Sequence, residues 1–263
     1  MIPIHFTHGH SEIIRSDYKV AVVIRTPSGL EVIVGVLEDM MTSVDIALGM
    51  QIHEILLDAG IETPMNKEIS LDEMLGTYQS QVVHNCQHTI MRALKLDMGD
   101  DSLKDTPKRI AKMYCQEIFT GLDYANFPKC TTVENKMGYE EMVSVNNIEV
   151  LSMCEHHFLP FVGKAHIAYL PNKKVLGLSK FNRVVDFFSR RPQIQERLTE
   201  QVALALRFIL KTDDVAVVIN ADHYCVRLRG VKDGGSSTVT SKLTGKFREN
   251  PALRQEFLAL TRS

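Results

Sequence analysis

Hydrophobic positions fall into two regimes along the chain. Two apolar, β-branched runs come first, Tyr18–Arg25 and Leu30–Leu37, separated by Thr26-Pro27-Ser28-Gly29. Proline followed by glycine two residues later fits a type I turn, so the pattern predicts a β-hairpin within an extension spanning 1–42. From Ser43 the period becomes helical. Val44, Leu48, Ile52 and Leu56 share one face, and Gly60 stands where a C-terminal stop belongs. Ser70 and Glu73 have capping-box spacing for a second helix running to about Leu96. A third begins at Thr106-Pro107, with Gly121 read as its end.

Beyond Tyr124 the period shortens to that of strands, at Met142–Met153, Lys164–Leu170 and Val215–Arg229. A helix over Ser179–Ser189 and a longer one from Pro192 to about Lys211 separate the last two; Ile194, Leu198, Val202, Ala205 and Ile209 make its core stripe. A strand-like Val239–Phe247 and a closing helix, Pro251–Thr261, complete the chain. Helices first, then antiparallel strands with helices on one face, is an α+β pattern. The division expected is a helical part, 43–125, and a mainly β part, 126–263.

At 44% hydrophobic, 24% charged and a net charge of −2, the chain reads as an ordinary globular protein with no bulk attraction for nucleic acid or anionic membrane. No run is long enough to span a bilayer and no signal-peptide core opens the chain, so cytoplasm is the expected location. Five cysteines without framework spacing argue against a disulfide scaffold. Cys86, Cys115 and Cys130 read as plain thiols. The histidines at 5, 8 and 10, the pair His84 and His88, and His166 read as surface or packed side chains.

Cys154, Cys225 and His157 differ from these. Two thiolates and an imidazole suit zinc, and three protein ligands with a fourth position left to water mark a catalytic site. A purely structural site would call for a fourth protein ligand. His156 and His223 stand one and two residues from the ligands, which points to metal-assisted hydrolysis with histidine proton transfer.

The blocks Cys154-Glu-His-His157, Gly177-Leu-Ser-Lys-Phe-Asn-Arg183, Arg191-Pro-Gln-Ile-Gln-Glu-Arg197 and His223-Tyr-Cys-Val-Arg-Leu-Arg-Gly230 resemble the signature blocks of GTP cyclohydrolase I, zinc-dependent type. The resemblance covers about 44–263 and includes Thr106–Met113 and Gly121–Tyr124; the extension 1–42 departs from it. It implies a tunnelling fold (T-fold), a four-stranded antiparallel sheet backed by helices. It also implies pentamers stacked into a homodecamer, with active sites at subunit junctions. The implied reaction opens the imidazole ring of GTP, releases formate and closes a pterin ring to 7,8-dihydroneopterin triphosphate. Zinc falls on Cys154, His157 and Cys225, and the catalytic histidines on His156 and His223. Glu196 would recognise guanine with Gln195 beside it. Ser179, Lys180, Arg183, Arg229 and Arg109 would contact triphosphate. The competing reading is a catalytically silent T-fold that binds or regulates a partner through its extension. A second, a 7-deazaguanine nitrile reductase, needs a nucleophilic cysteine, but both motif cysteines are assigned to zinc.

Overall fold

The computed structural model describes residues 11–16, 19–25 and 31–36 by backbone alone, and residues 43–66 and 77–261. The chain divides into two units, 1–45 and 46–263. In the first, β1 (Ser11–Ser16), β2 (Lys19–Arg25) and β3 (Glu31–Val36) pair antiparallel in that order. The turn expected at Thr26–Gly29 lies outside the described residues, as do the histidines of the first ten positions.

In the second unit the stripe expected from Val44 becomes helix α1 (Ile46–Asp58), with Ile52 and Leu56 fully buried. Gly60, at φ +69°, ends it. The Ile61 and Gly60 N–H groups reach back to the carbonyls of Leu56 and Leu57, the two bonds of a Schellman cap. Helix α2 (Thr77–Ala93) follows; the capping box expected at Ser70 and Glu73 lies outside the described residues.

Helix α3 (Thr106–Met113) starts where the sequence places it but stops short of Gly121. It passes into a π turn, Tyr114–Ile118, and two short 3-10 turns. Gly121 is therefore not a helix stop. Its N–H donates to Arg190 O at 2.9 Å, and a Cβ there would lie 2.0 Å from Phe187 O. Two backbones approach more closely than any side chain allows. Gly121→Ala is expected to destabilise the protein by about 1–3 kcal/mol, measured as a lower chemical-denaturation midpoint; an unchanged midpoint would show that the approach relaxes freely.

The main sheet has the order β10–β9–β6–β5–β8. Its four long strands are β5 (Val143–Cys154), β6 (Pro160–Tyr169), β9 (Val215–His223) and β10 (Thr238–Leu243), and they are antiparallel neighbours. The fifth, β8 (Pro192–Gln193), runs parallel to the end of β5 and pairs Gln193 with Cys154. A separate two-stranded ribbon joins β4 (Thr132–Glu134) to β7 (Lys174–Leu176). Helices α4 (Ser179–Ser189) and α5 (Gln195–Leu210) bury Phe181, Val184, Phe188, Leu198, Val202 and Leu206 in one core with Val150, Ile167, Val217 and Ile219 of the sheet.

The strand expected to run from Val215 to Arg229 ends at His223, and Tyr224–Arg227 is a single helical turn, α6. Its continuous apolar start, Val215–Ile219, is buried on both faces of the sheet. Val215, Val217 and Ile219 belong to the main core, whereas Ala216 and Val218 pack in a second cluster with Phe247 and Phe257. Phe247 lies on the turn α7 (Lys246–Glu249) and Phe257 on α8 (Pro251–Leu260), so the segment expected as strand to Phe247 turns helical after Leu243.

Candidate metal centre and its histidines

Cys154 is the last residue of β5, and the chain turns directly after it. Its N–H donates to Leu159 O and its carbonyl accepts from Phe158 N–H, both at 2.8 Å, closing the loop that leads into β6. Phe158 holds φ +49° and packs its ring against Tyr114 and Phe119. Glu155 ties the loop to two further elements. Its N–H donates to Gln193 O at 3.0 Å, and its carboxylate pairs with Arg197 of α5 at 2.6 Å.

Cys225 arrives from the other direction. Register pairs Phe161 with His223, which brings the end of β9 beside the start of β6. Helical turn α6 then carries Cys225 inward. The two sulfurs and a ring nitrogen of His157 lie within 4.8 Å of one another. A tetrahedral zinc, with bonds of about 2.3 Å to sulfur and 2.0–2.1 Å to nitrogen, separates such ligand atoms by about 3.5–3.8 Å. The cluster thus needs only a small contraction. Thiolate and imidazole donors favour zinc over magnesium or calcium. Burial and the neighbouring Cys154 push the Cys225 thiol up, a cost that a divalent cation between the sulfurs offsets. The residues fit a zinc ion.

His156 borders this cluster, and His223 ends β9 two residues before Cys225. His156 Nδ1 is 3.7 Å from Cys154 Sγ. His223 stacks on Phe161, with ring centroids 4.7 Å apart and planes 11° from parallel. Burial holds its pKa below the usual histidine range, opposed by the carboxylates of Glu196 and Asp222. Arg229 donates to His157 Nε2 at 2.7 Å, which places a cation at the edge of the centre.

Glu196 and Gln195 open α5 and face different surroundings. Glu196 is exposed, whereas Gln195 is only 1% exposed and its amide is occupied by protein groups at both ends. Ser179, Lys180 and Arg183 lie in the first turns of α4, and among the described residues neither Lys180 nor Arg183 has an ion-pair partner. Arg109, on α3, donates to Ser102 O and stands 3.9 Å from Asp105. Among the described residues, no hydrogen bond or ion pair joins Arg109, Ser179, Lys180 or Arg183 to the cysteine–histidine cluster. Sequence reasoning did not single out Phe161, Glu155 or Arg197. The last two lie inside the quoted blocks, but no local signal marks a pair 42 residues apart in sequence.

The family model described as GTP cyclohydrolase I matches residues 83–262. A protein named GTP cyclohydrolase 1 from Shewanella baltica (strain OS185) is 53% identical over 209 residues, covering 80% of this chain and 95% of the relative. One of the same name from Yersinia enterocolitica (serotype O:8 / biotype 1B) is 51% identical over 211 residues, 80% of this chain and 94% of that one. The family match takes in the whole cluster and the histidines around it, and the chain belongs to the GTP cyclohydrolase I family.

Proposed function

We propose that the protein hydrolyses the imidazole ring of GTP and rearranges the product to 7,8-dihydroneopterin triphosphate and formate. The observation that carries this reading is the convergence of Cys154, His157 and Cys225, with His156 against Cys154 and His223 two residues before Cys225, inside the family match. Those three ligands would hold zinc, whose chemistry there is Lewis-acid activation of the water that attacks C8 of guanine.

The chain's own groups do the rest. His156 and His223 are imidazoles next to the reacting carbon, and an imidazole can donate a proton from one ring nitrogen and accept one at the other. Glu196 accepts from the two adjacent N–H groups of the guanine edge, a pair that adenine lacks. Arg229 holds phosphate oxygens from beside the centre, and Lys180, Arg183 and Ser179, whose side chains have no hydrogen-bond or ion-pair partners among the described residues, present donors at a helix N-terminus that favours anions. Arg109, on a separate helix, fits an assembly in which a second copy completes each site. We read the assembly as a homo-oligomer, a decamer of two pentamers, working in the cytoplasm. The carboxylate gives a clean test. Glu196→Gln is expected to lower kcat/KM for GTP by about 10²-fold and to narrow the preference for GTP over ITP, which lacks the 2-amino group. Unchanged discrimination between the two would remove Glu196 from base recognition.

The test of the whole reading is formate release from GTP, with fluorescence of the oxidised pterin, in the presence and absence of a chelator. A folded, zinc-loaded protein that leaves GTP untouched would favour the silent, partner-binding T-fold instead.

A further inference from the structure

The directions of the hydrogen bonds around Gln195 are all determined by chemistry. The Thr199 hydroxyl donates to the backbone carbonyl of Gln195 at 2.8 Å. Its single proton is then spent, so in the 2.7 Å contact between Thr199 and Thr240 the donor is Thr240. Thr240 Oγ1 therefore offers a lone pair to Gln195 Nε2 at 3.1 Å. The same nitrogen faces two backbone carbonyls, Ile219 O at 3.0 Å and Thr238 O at 2.9 Å. Three acceptors around one end of an amide identify that end as the NH₂ group. Gln195 Oε1, an obligate acceptor, is left facing His223 Nε2 at 2.8 Å. Turning the imidazole over would set a ring carbon at that distance, well inside the roughly 3.3–3.6 Å of a C–H···O contact. The nitrogen must be there, and it must carry hydrogen.

We infer that Gln195 is a positioning residue: it places the proton of neutral His223 on Nε2 and leaves the lone pair on Nδ1. The stacked Phe161 ring fixes the plane of the imidazole, and Gln195 fixes its rotation within that plane. The chain Thr240–Gln195–His223 thus runs from strand β10, through the first residue of α5, to the end of β9. With both ends of its amide engaged and 1% exposure, the Gln195 side chain is committed to the fold rather than to GTP. On this inference the Gln195 side chain serves His223, and any contact of this residue with substrate alongside Glu196 falls to its backbone. The catalytic consequence rests on the function proposed above, whereas the proton placement does not.

The test is the nitrogen-15 spectrum of the full-length, zinc-loaded protein with labelled histidine at pH 8, assigned through His223→Asn. The expected signature is a protonated Nε2 and a lone-pair Nδ1 on His223. In Gln195→Met, of similar volume, the two forms are expected to mix. Its kcat should fall by about 10–100-fold, with KM for GTP within about twofold and zinc content unchanged. A hydrogen on Nδ1 in the parent protein would overturn the inference, as would an unchanged kcat or a loss confined to KM, which would mark a substrate contact. If the parent turns over no GTP, the reaction assignment fails, but the nitrogen signature still decides this one. If Gln195→Met does not fold, the parent spectrum decides it alone.

Discussion

Cys225→Ala is expected to lose metal and turnover together. The variant keeps Cys154 and His157, two donors where the centre offers three, and two donors do not hold zinc against a chelator. The Lewis-acid contribution to such hydrolyses is several kcal/mol, so formate release should fall by about 10³-fold or more. Metal content by emission spectroscopy should fall to background in the same sample. Chelation of the parent protein should reproduce the loss, and added zinc should restore the parent but not the variant. The fold is expected to survive. Cys225 is only half-buried at the rim of the core and lies on a single helical turn. The parent's melting temperature should also drop on chelation, because an ion bound only by the folded state stabilises it by mass action. A variant that kept both its zinc and its turnover would show that Cys225 is not a ligand.

Glu62→Ala carries the largest expected cost in stability. Arg191 is completely buried, and Glu62 is its only carboxylate partner among the described residues, at 3.1 Å and itself 7% exposed. The guanidinium also donates to Thr63 Oγ1 at 3.5 Å, to Tyr124 Oη at 3.2 Å and to Gly121 O. The rings of Tyr124, Phe187 and Phe188 surround it at 4.9–5.1 Å from their centroids. On the acid side, Glu62 accepts from the Tyr124 hydroxyl and from Thr63 N–H at 2.7 Å, with His53 Nδ1 at 3.0 Å. Burial pushes the Tyr124 phenol far up, so it stays protonated and donates. Removing the carboxylate leaves a buried cation uncompensated, at a cost of about 3–5 kcal/mol. For a domain of this size that is a fall in melting temperature of about 6–20 °C. Glu62→Ala combined with Arg191→Met should recover much of the loss, since an apolar chain of similar length removes the unpaired charge. If the double variant were no more stable than the single one, the charge would not be the cause. The pair also matters to the metal centre. Arg191 immediately precedes β8, and Gln193 of β8 pairs with Cys154 and accepts from Glu155 N–H.

Much of this chain could be read from local pattern. Helix α4 runs from Ser179 to Ser189 as periodicity predicts, and α8 begins at Pro251 behind Asn250, whose side chain accepts from the N–H groups of Ala252 and Leu253. Propensity, capping and face periodicity act within about a turn, so a sequence window contains everything that sets them. The ligand types at 154, 157 and 225 were legible for a similar reason. Thiolates and imidazoles beside one another have few other uses, and the strand register then had only to bring the two segments together.

The rest depended on partners that no local window contains. Tyr224–Arg227 looks like a continuation of β9, yet it coils, and that turn carries Cys225 to Cys154. Gln195 reads as a polar residue beside a base-recognising carboxylate, but its amide is committed to Ile219, Thr238, Thr240 and His223 across the fold. Nothing adjacent to Arg191 marks it as buried, and its carboxylate lies 129 residues away in sequence. Hydrophobic spacing reports which face of an element is buried. It carries no information about which distant carbonyl or carboxylate will meet a buried polar group, and a group left without such a partner costs roughly 1–3 kcal/mol. Sequence pattern alone determined most of the elements and the residue types of the candidate ligand set. Tertiary packing alone decided which polar groups satisfy one another, and so how the histidine beside the metal centre is held.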